Sequence, residues 1–273
     1  MRRLFIISTV VVISTTAAIA NGQQSAPQDP GDRVQGVGYG WPRPTIPTGP
    51  VPRLPDGTVD LNGAWMGVGP NSDIERNGGL KPGEVSSLLL PAAKTLFESR
   101  KDSYEDPHDF CLPDGVPRLP DAFPMRIVQN YTHKAPTHIF ILIEGNIHTY
   151  RQVFMDGRKH PAELDPSWYG HSIGRWEGDT LVIDSVGFND KFWFDRRGHP
   201  HTEQLHVIER WTRTDLGHLE SKVTIDDPGA YSKPFTLTFH ATLSPDTELL
   251  EYICQENNQF GLPGGHPNPY AGK

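Results

Sequence analysis

The sequence contains very few cysteines: Cys111 and Cys254 are the only two among its 273 residues. A bridge between them would close a loop of roughly 140 residues, which the chain-entropy model values at about 4–5 kcal/mol of stability. Two buried free thiols are the alternative. Cys111 lacks an obvious cationic activator, so the pattern argues against a nucleophilic cysteine.

The sequence also lacks an excess of positive charge, because 25 Lys and Arg residues stand against 33 Asp and Glu residues. Charges of both signs are interspersed, and no basic stripe occurs. We expect such an acidic chain to bind neither nucleic acid nor an anionic membrane surface. A small-molecule substrate is the expected partner, and the oligomeric state is left open.

Long apolar runs are missing apart from one near the start of the chain. Arg2 and Arg3 precede this run, and the small-residue sequence Ala18-Ile19-Ala20 ends it. The layout is typical of a secretory signal peptide over residues 1–20, with cleavage near Ala20. The run is short for a membrane span, so we expect no membrane insertion. Cleavage would leave 23 basic against 33 acidic residues, a net charge of −10. We therefore expect a periplasmic or secreted protein, in a compartment where a disulfide persists.

Several motifs that would identify a catalytic class are absent. The sequence has no βαβ pattern and no Gly-rich phosphate loop, which argues against an organic cofactor. It has no G-x-S-x-G elbow. His171 and Ser172 are neighbours on a predicted strand, so their side chains point to opposite faces and cannot form a Ser-His dyad. No nucleophile is therefore visible.

Proline and glycine mark the organisation of the chain. Six prolines between Pro42 and Pro55 predict that residues 21–57 form an extended segment. Pro91 favours a single short helix over residues 91–103. The Gly- and Pro-rich residues 261–273 are predicted to form a flexible tail. The remaining residues, 58–260, are predicted to form one β-barrel domain.

Short strands joined by turn signals dominate this domain from Met125 onward. Gly145-Asn146 and Gly178-Asp179 are typical two-residue hairpin turns, and four successive hairpins are expected, the last pairing 235–243 with 248–257. Nine or ten such strands cannot stay flat with open edges, so we predict a mainly β, antiparallel up-and-down barrel. Gly63-Ala64-Trp65 resembles the Gly-x-Trp signature of lipocalin-type (calycin) barrels, which implies a lipocalin-like fold.

Four longer blocks carry a second resemblance: "YEDPHDFCLPDGVPR", "HSIGRWEGDTLVIDSVGFND", "HPHTEQLHVIER" and "VTIDDPGAYSKP". Through them, residues 104–256 resemble, nearly throughout, a family of exported proteins abundant in soil Gram-negative bacteria. The family has no single established activity. The resemblance therefore implies export and a β-rich fold, and it does not indicate a reaction.

Residues 198–211 hold three histidines and two glutamates within fourteen residues. His199, His201 and Glu203 alternate and could share one strand face as ligands of Zn²⁺ or Fe²⁺, although Pro200 interrupts the ladder. A histidine beside a carboxylate favours an acid/base site instead. A wet barrel rim with surface histidines is the third interpretation. His206 and Glu209 fall on opposite faces of the predicted strand, so both cannot point into the barrel.

Two further stretches supply the rest of a predicted pocket. In residues 168–179, an inward histidine and arginine would bind an anion, or the stretch is a corner packed by tryptophans. In residues 184–195, an aromatic cluster would form a pocket wall or a lid. The predicted catalytic residues are His171, His201, Glu203 and His206. The predicted substrate-binding residues are Tyr150, Arg175, Trp176, Phe188, Asn189, Asp190, Trp193 and Trp211.

The sequence thus predicts an exported enzyme that uses general acid/base catalysis on a small organic molecule. A lyase or an isomerase is preferred because no nucleophile is visible. The catalytic side chains would come from separate hairpins and meet inside a closed, aromatic-walled hollow. A non-catalytic lipocalin-like binding protein and a metal-dependent hydrolase are the alternatives. No metal ligands are assigned, and a divalent metal is kept only for the hydrolase alternative.

Overall fold

The computed structural model describes residues 45–256 except 68, 70–71, 102–104, 119–122, 133–134, 146, 148 and 246. The predicted signal peptide, most of the Pro-rich segment and the predicted tail lie outside the described residues.

The described residues contain nine strands, which close into a barrel in which each strand pairs with the next along the chain. They are β1 Gly63–Met66, β2 Met125–Tyr131, β3 Pro136–Ile143, β4 Thr149–Phe154, β5 His171–Glu177, β6 Thr180–Val186, β7 His206–Arg213, β8 His218–Asp226 and β9 Phe235–Leu243. β9 returns to β1, with Trp65 opposite Leu243, and so leaves no open edge. The prediction of a mainly β, closed barrel is confirmed.

Helical structure is sparse in the described part of the chain. The helix predicted to begin at Pro91 is present as α2, Pro91–Arg100. A one-turn helix, α1, spans Ile74–Asn77, and the side chain of Asp73 caps it by accepting two backbone N–H groups. None of the described helices has the length and apolar character needed to span a membrane.

The pairing of β4 with β5 departs from the predicted up-and-down arrangement. These two strands run parallel, and they pair only at Val153–Ser172 and Phe154–Ile173. All other neighbouring strands are antiparallel. Because parallel neighbours cannot be joined by a tight hairpin, residues 155–170 form a crossover connection between them. The prediction of an entirely antiparallel barrel is therefore wrong at this interface.

The fourth predicted hairpin is also wrong. Residues 247–256 contain no strand, because β1 already takes the free edge of β9 and completes the barrel. The predicted disulfide is present and ties this segment to the rest of the protein: Cys111 and Cys254 are bonded, with their Cα atoms 5.6 Å apart.

The barrel interior is packed with apolar side chains. Alternate strand positions point inward, among them Met125 and Ile127 of β2 and Leu237 and Phe239 of β9, and they form one buried cluster. Trp65 lies at the seam between the first and last strands, where its indole N–H donates to the carbonyl of Leu61 at 2.9 Å. The predicted hollow lined by aromatic residues is therefore wrong, because core side chains fill that space.

We expect the Cys111→Ala/Cys254→Ala double variant to lose up to about 5 kcal/mol of unfolding free energy, because the bridge restricts a long loop in the unfolded chain. Guanidinium unfolding followed by tryptophan fluorescence measures the loss. Wild-type protein treated with reductant should unfold at the same denaturant concentration as the double variant. Equal stability of oxidised wild type and double variant would contradict the expectation.

Candidate functional site

A cleft opens in the barrel wall where β4 and β5 diverge. Residues 149–152 of β4 pair with β3 and have no ladder partner in β5, so the wall is incomplete beside them. The cleft has a volume of about 410 Å³, which suits a small organic molecule. We call it the β4–β5 cleft, and it is lined by Thr149, Tyr150, Arg151, Gln152, Phe154, Tyr169, Gly170, His171 and Ser172.

Gly170 shapes the edge of this cleft. It has φ +62°, and a Cβ atom there would lie 2.6 Å from the carbonyl oxygen of Val186. Only glycine fits both the conformation and the close backbone approach. The chain can therefore turn sharply into β5 and place His171 at the cleft.

A buried ion pair lies at the inner end of the cleft. Arg151 is 1% exposed and pairs with the carboxylate of Glu209 on β7. Its Nε donates to the hydroxyl of Ser172 at 3.1 Å, and its Nη2 donates to that of Ser185 at 2.8 Å. Its Nη1 is buried and has no hydrogen-bond partner among the described residues. This nitrogen is thus a donor held in a low-dielectric site without an acceptor.

The cluster of buried polar side chains continues along the interior face of β7 and β8. Trp211 and Ser221 lie opposite each other, and the indole N–H and the hydroxyl are both buried without a partner in the described part of the chain. Glu209 and Trp211 point inward, whereas His206 lies on the opposite, outer face. The prediction that Glu209 and His206 cannot share the interior is confirmed.

A chain of hydrogen-bonded histidines lies on the outer face beside the cleft. The Nδ1 atoms of His171 and His160 are 2.8 Å apart, and His160 Nε2 lies 3.3 Å from Oδ1 of Asp184. His206 Nε2 lies 2.8 Å from the same carboxylate oxygen. We call these four residues the histidine relay. His160 comes from the crossover, and the other three come from β5, β6 and β7.

His171 is the member of the relay that lines the cleft. Partial burial lowers the pKa of its imidazole, and the charges of His160 and Arg158 lower it further. The ring is therefore neutral at neutral pH. Phe154 stacks on it with ring centroids 5.0 Å apart. Its Nδ1 is engaged with His160, while its Nε2 makes no hydrogen bond to a described residue.

Two of the predicted catalytic residues lie away from the relay. His201 is 4% exposed, packs 3.8 Å from the ring of Phe192 and donates from Nε2 to the Phe192 carbonyl at 2.9 Å. Burial lowers the pKa of His201 to about 3, so it is a neutral core residue. Glu203 is exposed in a turn. The idea that both continue a strand face is wrong, because β7 begins only at His206.

Most of the predicted substrate-binding residues also lie outside the cleft, and only Tyr150 lines it. Arg175 is exposed and paired with Glu177, and Asp190 is exposed. Asn189 is buried and accepts the backbone N–H of Lys191. The aromatic residues of this predicted set pack against the core or are buried, namely Trp176, Phe188, Trp193 and Trp211.

A second arrangement has the geometry of a Ser-His-Asp triad. Asp195 Oδ2 lies 2.7 Å from His199 Nδ1, and His199 Nε2 lies 3.1 Å from Ser86 Oγ. Ser86 Oγ, however, also donates to the carboxylate of Glu75 at 2.9 Å. Burial opposes ionisation of Glu75, but hydrogen bonds from backbone N–H groups of residues 83–86 hold its pKa below the ordinary value.

An ionised Glu75 beside Ser86 conflicts with nucleophilic catalysis. The carboxylate accepts the hydroxyl hydrogen bond that Ser86 would otherwise donate to His199. Its negative charge would also repel the oxyanion of an acyl-transfer intermediate. The same carboxylate accepts the backbone N–H groups of Gly83, Val85 and Ser86. This network therefore fixes the loop before α2 against the segment that precedes β7, and we assign it a structural role.

The sequence analysis missed the residues that make the cleft polar. Arg151 alternates with Val153 on β4, and this period-two pattern could have placed its side chain inward. His160 carries no such signal, because it lies in an irregular connection. No group of three or more His, Cys, Asp or Glu residues within the described ranges is arranged to hold a metal ion.

Comparisons with known proteins do not extend this description. No protein-family model matches the chain, and neither a curated protein nor a solved structure matches it.

We expect Glu209→Ala to lower the unfolding free energy by about 3–5 kcal/mol, because it leaves the buried Arg151 charge unpaired. An Arg151→Met/Glu209→Leu double variant should equal or exceed the wild type, because apolar residues of similar size replace both charges. Urea unfolding of the wild type and both variants gives the comparison. A double variant as unstable as Glu209→Ala would show that the ion pair itself stabilises the barrel.

We also expect His171 to titrate below the ordinary histidine value near 6.5. Arg158→Gln should move its pKa upward, because one of the positive charges that disfavour the imidazolium is removed. Arg158→Lys keeps the charge and is the matched control. The ring Cε1–H resonance, followed by NMR against pH, measures all three values. A wild-type His171 that titrates above the ordinary value would contradict the assignment of a neutral imidazole.

Proposed function

We propose that the protein is an exported enzyme that moves a proton on a small carbonyl compound bound in the β4–β5 cleft. The observation that carries the proposal is the pairing of two groups in one cleft. His171 offers a neutral imidazole with a free Nε2 on the outer side of the cleft, and Arg151, which also lines the cleft, has a buried Nη1 without an acceptor on the inner side of the barrel wall. A base and a hydrogen-bond donor for an oxygen are the two groups that enolate chemistry needs.

The proposed step starts from a carbon–hydrogen bond next to the carbonyl. His171 Nε2 takes the proton, and the electron pair of that bond forms a carbon–carbon double bond while the carbonyl oxygen becomes an enolate oxygen. If the carbonyl group enters between β4 and β5, Arg151 Nη1 can donate to this oxygen from the inner side of the wall as its charge develops. Tyr169 is a further donor, because burial raises the pKa of its phenol and keeps it protonated. Return of the proton to another carbon isomerises the substrate, and loss of a β-substituent makes the reaction an elimination.

The rest of the relay supports His171 as the base. When Nε2 gains a proton, the proton on Nδ1 can pass to Nδ1 of His160, which lies 2.8 Å away. The resulting positive charge on His160 faces the carboxylate of Asp184. His206 holds that carboxylate from the other side. His171, His160 and His206 therefore have different proposed roles: base, proton acceptor and positioning residue.

Export and a lipocalin-like barrel remain part of the proposal. A disulfide between residues 143 positions apart supports an oxidising compartment. The Gly63-Ala64-Trp65 signature occupies the closing seam of the barrel, and the Arg213 guanidinium lies 4.9 Å from the Trp65 ring centroid. A lyase or an isomerase is preferred over a hydrolase, because Ser86, which lies beside the His199–Asp195 pair, is engaged with Glu75.

Hydrogen–deuterium exchange tests the proposal without knowledge of the natural substrate. A panel of cyclic ketones and linear 2-alkanones is incubated with protein in D₂O, and loss of the α-proton signals is followed by NMR. We expect wild type to accelerate exchange of at least one compound over buffer. His171→Asn should lower that rate by about 10²–10⁴-fold, the usual contribution of a general base.

His240→Asn is the matched control, because His240 is exposed on β9. It should exchange protons at the wild-type rate. The proposal fails if wild type exchanges no faster than buffer across the panel, or if His171→Asn retains the wild-type rate.

A further inference from the structure

A second cleft adjoins the β4–β5 cleft on the outer face of the barrel. Its volume is about 330 Å³. We call it the apolar cleft, because most of its lining is provided by Leu142, Ile143, Tyr150, Leu249 and Leu250. Thr149 and Tyr150 line both clefts, so the two share a border at the start of β4.

Apolar side chains at these outer positions need an explanation. Leu142 and Tyr150 are opposite each other on β3 and β4, and both occupy positions that face away from the core. Tyr150 is 57% exposed, and the ring of Phe140 lies 6.1 Å from it. The outer face of an antiparallel pair is ordinarily polar. A group of exposed apolar residues with a concave shape is typical of a binding surface.

The outer wall of the apolar cleft is fixed in place. Leu249 and Leu250 lie in the segment after β9, where the backbone N–H of Leu250 donates to the buried carboxylate of Glu144 at 2.7 Å. Four residues further on, Cys254 is bonded to Cys111. Because both ends of this short segment are held, the two leucines form a wall that exists before any ligand binds.

From this shared border we propose that the substrate is amphipathic. Its carbonyl end lies in the β4–β5 cleft, and a hydrocarbon chain crosses Thr149 and Tyr150 to lie in the apolar cleft. The assignment of the polar end as a carbonyl group rests on the proposed function. The hydrocarbon chain is inferred separately, from the apolar lining, the fixed wall and the shared border of the two clefts.

A homologous series of 2-alkanones, from 2-butanone to 2-decanone, tests the inference by calorimetric titration. Each buried methylene is expected to tighten binding to wild type by about three- to fourfold until the cleft is filled. Leu142→Asn and Leu249→Asn should flatten this dependence on chain length. Their affinity for 2-butanone, and the rate at which they exchange its α-protons, should stay at the wild-type level.

Leu96→Asn is the matched control, because Leu96 is an exposed leucine on α2. It should keep the wild-type dependence on chain length. Circular dichroism melts of all three variants establish that they are folded.

The outcomes separate this inference from the proposed function. Affinity that does not rise along the series, or that rises equally in Leu142→Asn and Leu249→Asn, overturns the amphipathic substrate, even if α-proton exchange persists. A rise that both variants abolish, without any exchange by wild type, supports the apolar cleft and overturns the proposed chemistry. If Leu142→Asn instead converts a dimer to a monomer in sedimentation, with no change along the series, the cleft is a contact between copies and the inference is wrong.

Discussion

The parallel pairing of β4 with β5 is the constraint on which the candidate site depends. Every other neighbouring pair of strands is antiparallel, whereas β4 and β5 run parallel and share two ladder pairs. The crossover that joins them carries His160 over the outer face of the sheet. The same geometry leaves residues 149–152, among them Arg151, without a ladder partner on one side. One irregular interface therefore produces both the opening and the groups that line it.

The two clefts lie at the wall of the barrel, and its interior is filled. Apolar side chains from the strands pack into one cluster, and the polar exceptions gather around Arg151 and Glu209. A buried ion pair contributes little net stability compared with apolar residues of the same size, because both charges must be desolvated. Under the proposed function, its presence in an otherwise apolar interior is explained by the substrate oxygen that Arg151 would bind.

The sequence predicts each hairpin better than it predicts which strands lie side by side in the barrel. Turn signals and alternation locate β5 to β9, the helix at Pro91 and the opposite orientations of His206 and Glu209, because all of these depend on local periodicity. Local signals do not say which strand lies beside β4, so the parallel pairing was missed. The group of histidines near residue 200 was misassigned for a related reason: the turn after Pro200 delays β7 until His206, and His201 turns into an aromatic core. His171 and His206 do come together, but through Asp184 on the outer face rather than inside a hollow.

The placement of the relay outside the packed core has a consequence for laboratory evolution. Tyr150 and Gln152 occupy positions on β4 that face away from the core. They line the cleft and do not pack in the barrel interior. Under the proposed function, substitutions at such rim positions can vary selectivity while the packed core stays unaltered. A binding chamber inside a barrel would instead couple each change of specificity to a change in packing. In this scaffold, the rim side chains that could change selectivity are therefore different from the side chains that pack the core.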